Sequence, residues 1–388
     1  MSYNRGEWSE AYVLLRLLGD GRIYAGNEHS VRIDSRYMDI KSVLKRNLDN
    51  VLECARADSV VECWLIFDDN HRESTHLFFP LQRFTVMADL LFNYIRNSSG
   101  SFCAGEPYHF LRSIGDTSIK AGKWKAESAY EEIFRGKTDI VLRVIDRAET
   151  DMLGFSIKSY AGSPPTLFNS AGASAFKFRI ENCTDEEFDS LNNIVSASGH
   201  PDVMRRVAAV RERLTFVSTR HCNAKRNQFN GEAGPFFEWN LALLAEDMPK
   251  VIAQALLVRY GYYSDELDRT TCTDIIDSLE RLNPLNKRNP AIYYRTKISD
   301  FVYASFGQMT ASTEWNGTHI INGGYIEVKR DGECLYFRAN SDDSFKSYLL
   351  GNTHFESPST NPNKKLYHGQ VVRDDTGTYL YLNFSVRF

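Results

Sequence analysis

Hydrophobic and polar positions follow a helical period in some parts of the chain and a strand period in others. The helical period covers residues 7–18, where Tyr12, Leu14, Leu15 and Leu18 form an apolar stripe, and residues 81–97, where the pattern ends at Ser-Ser-Gly. Residues 38–56 also favour a helix. A continuous apolar run at 59–67 favours a buried strand.

Residues 138–159 read as two strand-like runs joined by a short polar turn, which predicts a hairpin. A further strand is predicted at 176–180. Helices are predicted at 107–114, 185–196, 201–214, 272–282 and 291–306, with a strand at 215–219 and a mostly helical block at 231–260.

After residue 310 the pattern changes from helices to strands. Two strands joined at Arg330-Asp331-Gly332 form a predicted hairpin, a capped helix follows, and an alternating strand ends the chain. These changes predict an α/β protein in three parts: a mixed sheet flanked by helices over 1–230, a helical region over 231–310, and a small β-rich region over 311–388 that we expect to contact a ligand.

The composition is that of an ordinary globular protein, with 43% hydrophobic and 25% charged residues. Its seven cysteines are scattered and include no Cys-x-x-Cys pair, so neither a disulfide framework nor a zinc site is indicated and a cytoplasmic location is expected. The first residues have no signal-peptide character, and no apolar run is long enough to span a membrane.

A net charge of −4 argues against non-specific coating of nucleic acid, but basic residues are clustered. Residues 205–226 contain seven basic residues and one acid, Glu212, and residues 281–297 contain five basic residues and no acid. Each cluster could contact phosphates. A solvated helix face would explain the same residues.

The hairpin carries the clearest candidate chemistry, because Asp139 opens its first strand and Lys158 lies near the end of the second. Phosphodiester hydrolysis by metal-dependent nucleases needs an acid that holds Mg²⁺ and a lysine that orients water or stabilises phosphorus charge. Asp139 would be the metal ligand, and the peptide carbonyl of Ile157 a further one. A surface aspartate and a lysine on an edge strand could produce the same sequence pattern by chance.

Nucleases of the PD-(D/E)XK type usually have an acid two residues before the lysine, but here that position is Ser156. A hydroxyl is a poor substitute for a carboxylate on Mg²⁺, so another acid is needed. Glu10, beside the apolar stripe of the first helix, is the better candidate for catalysis and metal binding. Asn169 and Ser170 could return toward the strand end but are neutral.

Four segments then carry a resemblance: "GEWSEAYVLLRLLGDGRIYAG", "KTDIVLRVID", "GFSIKSYAGSPPTLFNSAGAS", and "YLLGNTHFESPST" with "YLNFSVRF". Together, and in this order, they resemble the HpaII family of type II restriction endonucleases. The resemblance implies a PD-(D/E)XK fold and Mg²⁺-dependent cleavage of unmethylated double-stranded DNA at a short palindrome, with CCGG as the expected target. By position it implies that Asp139, Ser156 and Lys158 match the nuclease motif and Glu10 the first-helix acid. Other CCGG-cutting enzymes with Ser-x-Lys recruit a later glutamate, which this chain lacks at the corresponding distance.

Sequence-specific cutting also needs side chains that reach base edges. Two polar segments are candidates for this role, and a lysine-rich segment is expected to touch phosphates instead. The predicted DNA contacts are Lys120, Lys123, Lys125, Asn169, Ser170, Arg220, Asn223, Lys225, Arg226, Asn227, Gln228, Ser357, Ser359 and Thr360.

Three functions remain open from the sequence. The first is a type II restriction endonuclease, with a cognate DNA methyltransferase as its functional partner and either a monomer or a homodimer as the active form. The second is a structure-selective nuclease of the junction-resolvase kind, which shares the first-helix acid and the hairpin. The third is a non-cleaving DNA-binding regulator, for which Ser156 is the best argument.

Overall fold

The computed structural model describes all residues except 69, 120–132, 135–137, 147–148, 163, 220–235, 262–270, 308, 318–322 and 340–341. The predicted contacts at Lys120, Lys123, Lys125, Arg220, Asn223, Lys225, Arg226, Asn227 and Gln228 lie outside the described residues. The mixed α/β class predicted from the sequence is confirmed by alternating helices and strands.

The helices of the described chain are α1 (Arg5–Asp20), α2 (Leu81–Asn97), α3 (Gly105–Ser113), α4 (Asp185–Asn193), α5 (Val203–Val210), α6 (Phe236–Leu244), α7 (Met248–Gly261), α8 (Cys272–Leu282), α9 (Pro290–Phe306) and α10 (Asp342–Asn352). The strands are β1 (Arg22–Gly26), β2 (Arg32–Arg46), β3 (Val51–Arg56), β4 (Val60–Ile66), β5 (Arg72–Pro80), β6 (Ile140–Asp146), β7 (Glu149–Ser159), β8 (Thr166–Phe168), β9 (Phe176–Ile180), β10 (Leu214–Ser218), β11 (Gly324–Val328), β12 (Cys334–Arg338), β13 (His354–Glu356), β14 (Val371–Asp374), β15 (Gly377–Leu382) and β16 (Ser385–Arg387).

The described chain divides into two compact units, and the first comprises residues 1–165 and 319–345. Its sheet has the strand order β1-β12-β11-β7-β6-β2-β3-β4-β5. Strand β1 also pairs with β2, because the long β2 binds β1 along its first half and β3 along its second half. Six strands therefore close into a ring, so the sheet is not a plain PD-(D/E)XK core.

Helix α1 packs against this sheet and provides much of the core of the first unit. Asn4 caps its first turn by accepting a hydrogen bond from the Glu7 amide at 3.0 Å, and the Glu7 carboxylate accepts one from the Asn4 amide. The helix ends at Gly21, which has a φ of 73° that favours glycine. Its apolar residues are buried with those of β6, β7 and β11 in one cluster.

The prediction of a helix at residues 38–56 is wrong. These residues form the end of β2, a turn and β3, which pair with one another in antiparallel register. The turn is stabilised by two hydrogen bonds from Asn47 to Asn50. The backbone N–H of Asn47 donates to the Asn50 carbonyl at 2.8 Å, and the side-chain amide of Asn47 donates to the side-chain oxygen of Asn50 at 2.8 Å. Strand β2 also pairs with the distant β6, which satisfies further backbone hydrogen bonds of β2. Local helix propensity contains no information about such a distant partner.

The other predicted elements of the first unit are confirmed. Residues 7–18 lie within α1, 59–67 contain β4, 81–97 form α2, and the hairpin of 138–159 forms β6 and β7. The hairpin at Arg330-Asp331-Gly332 is also confirmed as β11 and β12. It inserts beside the other strands, since β11 pairs in parallel with β7 and β12 pairs in parallel with β1.

The second unit comprises residues 166–318 and 346–388. It contains a four-stranded sheet of order β10-β9-β15-β14 and a three-stranded sheet of order β13-β16-β8. Aromatic rings of these strands and of α6 and α9 meet around Phe384, which stacks on Phe168 and Phe355 with ring centroids 5.5 Å and 4.6 Å apart. The predicted helices at 272–282 and 291–306 and the predicted strands at 176–180 and 215–219 are confirmed.

Within the described ranges, none of the helices combines the length and apolar character that crossing a membrane requires. The three-part division at residues 230 and 310 stays a prediction about how function is distributed along the chain.

Candidate active site

The antiparallel register of β6 and β7 places Asp139 beside the second strand of the hairpin. Ile140 pairs with Phe155, and the Asp139 amide donates to the Phe155 carbonyl at 2.9 Å. Asp139 therefore lies directly before the first strand, next to the segment that contains Ser156, Ile157 and Lys158. The hairpin predicted from the sequence does bring the acid and the lysine segment together.

Two donors of β7 hold the Asp139 carboxylate. The Ile157 amide donates to Oδ2 at 2.7 Å, and the Ser156 hydroxyl donates to the same oxygen at 3.2 Å. Ser156 is only 2% exposed. Ser156 thus does not replace the missing acid in this structure; its hydroxyl fixes the orientation of the acid that is present.

Burial acts against the charge on both Asp139 and Lys158. It raises the pKa of Asp139, and the nearby Lys158, the Ile157 amide and the Ser156 hydroxyl partly oppose this rise. Burial also lowers the pKa of Lys158, and the negative charges of Asp139 and Glu10 partly oppose that change. The two groups therefore depend on each other for their charged forms, and perturbed pairs of this kind are frequent at functional sites.

Glu10 lies near Asp139 and Lys158 because α1 is hydrogen-bonded to the end of β7. The Ser9 hydroxyl hydrogen-bonds to the Ser159 hydroxyl at 2.8 Å and so fixes the first turns of α1 to the end of β7. The negative charge of Glu10 acts on Lys158, as its effect on the pKa of that lysine shows. The structure therefore brings Glu10, Asp139, Ser156, Ile157 and Lys158 into one site.

The oxygen atoms of this site are suitable ligands for a hard divalent cation. Both hydrogen bonds to Asp139 use Oδ2, so among the described residues Oδ1 is available to a cation. In a β-strand the amide and the carbonyl of one residue lie on the same edge, so the Ile157 carbonyl is expected on the edge where its amide binds Asp139. The described residues contain no group of three or more His, Cys, Asp or Glu that could hold a metal. Mg²⁺ does not require such a group, because it keeps several waters and binds through one or two carboxylates.

Sequence reasoning missed one further acid, Glu327. It lies on β11 in register with Lys158, and paired residues of parallel strands place their side chains on the same face of a sheet. Glu327 is 4% exposed. The acid in the middle of the apolar strand "GYIEV" is visible in the sequence, but no local pattern indicates that this strand pairs with β7.

Part of the basic cluster at 205–226 has a structural role. Arg206 is 3% exposed and donates to the carbonyls of Ile194, Asn192 and Gly369 at 2.7–2.9 Å. Arg213 pairs with Glu187. Neither guanidinium is therefore placed to bind phosphate. The predicted contacts at 169–170 and 357–360 lie in the second unit, on segments that follow β8 and β13.

Comparisons with known proteins support one of the three functions considered from the sequence. The family model described as HpaII restriction endonuclease matches residues 4–388. The chain is 30% identical to the type II restriction enzyme HpaII of Haemophilus parainfluenzae, over 100% of this chain and 98% of the relative. No solved structure matches the chain. The protein therefore belongs to the HpaII family of type II restriction endonucleases and is a type II site-specific deoxyribonuclease.

Proposed function

We propose that this restriction endonuclease requires Mg²⁺ and cuts double-stranded DNA at CCGG when that site is unmethylated. The main support is the Asp139 carboxylate, which is held by hydrogen bonds from Ser156 and Ile157 and lies beside Lys158. This arrangement combines a carboxylate that can bind a metal ion with a lysine, as a metal-dependent nuclease requires. The target is supported by the similarity to the HpaII enzyme along the full chain.

In this proposal Asp139, Glu10 and the Ile157 carbonyl would hold the metal ion. When bound, Mg²⁺ lowers the pKa of water and offsets negative charge on the scissile phosphate. Ser156 and the Ile157 amide keep the Asp139 carboxylate fixed, so that less reorganisation is needed during the reaction. Lys158 donates hydrogen bonds toward the attacking water or the phosphate, and Asp139 and Glu10 keep its ammonium charged.

We propose further that β6, β7 and α1 form a PD-(D/E)XK site within the closed sheet. The hairpin supplies the aspartate and the lysine, and the helix supplies the acid that position 156 lacks. Glu327 is a second candidate for that acid, favoured by its burial and its register with Lys158. We also propose that the enzyme is cytoplasmic and has a DNA methyltransferase as its functional partner, which would methylate the target sites of the host genome so that the enzyme does not cut them. A homodimer matches the two-fold symmetry of a palindromic DNA site most simply, and a monomer that cuts one strand at a time is the alternative.

The test is a digest of plasmid DNA with and without Mg²⁺, on unmethylated and CpG-methylated substrate. Discrete Mg²⁺-dependent fragments with ends at CCGG, absent from the methylated plasmid, are expected. Fragments with other ends would overturn the target and keep the enzyme class. Cutting that is unchanged in the presence of a chelator would overturn the metal requirement, and equal cutting of both plasmids would overturn methylation sensitivity.

A further inference from the structure

The three-stranded sheet of the second unit brings two of the predicted DNA-contacting segments to one edge. Strands β8 and β13 both run antiparallel to β16, so they run parallel to each other. Both therefore end at the edge where β16 begins at Ser385. Asn169 and Ser170 follow β8, and residues 357–360 follow β13. We call these two segments together the recognition edge.

Asn383, two residues before β16, connects the two sides of the recognition edge. Its side-chain amide donates to the Ala171 carbonyl at 2.8 Å and to the Leu366 carbonyl at 2.9 Å. Its side-chain oxygen accepts from the Ser174 hydroxyl at 2.9 Å. Asn383 is fully buried, so these bonds form away from competing water.

His368 extends the same network to the second segment. Its Nδ1 accepts a hydrogen bond from the backbone N–H of Asn383 at 3.0 Å. The proton of the neutral ring is therefore on Nε2. Nε2 therefore donates to the Ser357 hydroxyl at 2.8 Å. Burial lowers the pKa of His368 to about 3, which keeps the ring neutral in this role.

The charge and exposure of these segments suit DNA. Residues 357–372, which begin with the second segment of the edge, contain Lys364 and Lys365 and no acid. Lys364, Lys365 and Asn169 are exposed. Lysines can bind phosphates, whereas amide and hydroxyl side chains can bind base edges in the major groove. The recognition edge and the two lysines that follow it therefore present both kinds of group that sequence-specific binding needs.

We propose that the recognition edge reads bases of the target, and that Asn383 and His368 are positioning residues that hold its two segments in one geometry. This inference rests on the proposed function, because it assumes cutting at a short specific sequence. It goes further by assigning base recognition to side chains at the ends of β8 and β13 and by naming the buried residues that place them.

The first test changes the surface without touching the buried network. Asn169→Ala combined with Thr360→Val is compared with Asn193→Ala, an exposed asparagine at the end of α4. One reaction contains two labelled duplexes, one with CCGG and one with a single changed base pair. The ratio of their cleavage rates is measured, and it does not depend on how much enzyme is folded.

The double variant is expected to lower this ratio by about tenfold or more, because the loss of contacts to base edges weakens discrimination against a changed base pair. The Asn193→Ala control should keep the ratio of the unmodified enzyme. An unchanged ratio in the double variant would overturn the assignment of base reading to this edge.

The second test addresses the buried network and uses a matched asparagine. Asn240 is also fully buried in the second unit, and its side chain donates to the carbonyls of Thr310 and Thr313 at 3.0 Å and 2.8 Å. Asn383→Ser and Asn240→Ser each remove a comparable set of bonds. Only Asn383→Ser is expected to lower the cleavage-rate ratio, although both variants should lower the melting temperature.

The outcomes separate this inference from the proposed function. If the unmodified enzyme cuts a sequence other than CCGG, its own site and single-base-pair variants of that site replace the two duplexes, and the edge is tested as before. If Asn383→Ser and Asn240→Ser change the ratio equally, or if neither changes it, the positioning role of Asn383 is overturned.

Discussion

The candidate active site in the first unit and the recognition edge in the second unit are built from different kinds of interaction. The active site relies on charged groups, Asp139, Lys158 and Glu10, whose charges burial opposes. The recognition edge relies on neutral groups, Asn383, His368 and hydroxyls, joined by hydrogen bonds in a segment poor in acids. Chemistry on a phosphate needs charge, whereas reading a base needs donors and acceptors in fixed positions.

The two regions also differ in how far apart their partners lie along the chain. Asp139 and Ser156 are 17 positions apart and meet within one hairpin. Asn383 and Ala171 are 212 positions apart and meet only because β8 and β16 pair. A local site of this kind can be read from a sequence, and a site assembled from distant segments cannot.

The largest expected effect separates cleavage from binding. Asp139→Asn and Lys158→Ala should each lower the cleavage rate by about a thousandfold or more, since metal-assisted stabilisation contributes several kcal/mol. Specific DNA binding, measured by mobility shift, should remain within a fewfold of the unmodified protein if recognition belongs to the second unit. A variant that still cuts at the original rate would refute the active-site assignment.

The second prediction concerns a charged pair that supports the first unit. Lys45 and Asp116 are fully buried and lie 2.8 Å apart. Lys45→Met leaves Asp116 charged and unpaired, and should lower the free energy of unfolding by about 3 to 5 kcal/mol, measured by urea denaturation.

The matched control is the double variant Lys45→Met with Asp116→Leu, which removes both charges. It should recover most of the lost stability, because no buried charge remains without its partner. If the double variant is as unstable as the single one, the packing of the lysine stem rather than its charge explains the effect.

The third prediction asks which acid completes the active site. Glu10→Gln should weaken Mg²⁺ binding and slow cleavage by at least about 10- to 100-fold, because the loss of even an outer-shell partner of a metal site has an effect of that size. Mg²⁺ binding is measured directly by calorimetry, independently of activity. Glu327→Gln is the matched comparison, since this acid lies in register with Lys158 on the other side of β7. A larger loss of metal affinity in Glu327→Gln would transfer the role from Glu10 to Glu327.

The smallest effect expected is a pH dependence that belongs to the second unit. The pKa of His368 is about 3 in the folded protein, below its ordinary value near 6.5 in an unfolded chain. The unfolded state therefore binds the proton more strongly, and this contribution to stability is fully present above pH 6.5 and is lost as the pH falls toward 3. Lowering the pH from 6.5 to 5 should cost about 2 kcal/mol.

His368→Gln removes the titrating group and keeps a neutral polar side chain. Its free energy of unfolding, measured by urea denaturation between pH 5 and pH 7, should depend less on pH than that of the unmodified protein. An equal pH dependence in both proteins would show that other groups cause it.

The sequence by itself determined the features that depend on short stretches of chain. The period of apolar residues predicted α1, α2 and the β6–β7 hairpin, and the acid and the lysine of that hairpin predicted the site that the register then brought together. It failed at residues 38–56, where pairing between distant strands outweighed local helix propensity.

Only the tertiary structure decided what lies beside those local elements. It placed Glu327 next to Lys158, gave Ser156 the role of a donor to Asp139, and brought residues 169–170 and 357–360 to one edge around Asn383. The physical reason is that strand pairing uses the same backbone hydrogen bonds whatever the side chains are. The identity of a strand's neighbour is therefore set by the packing of the whole unit, which the local order of residues does not record.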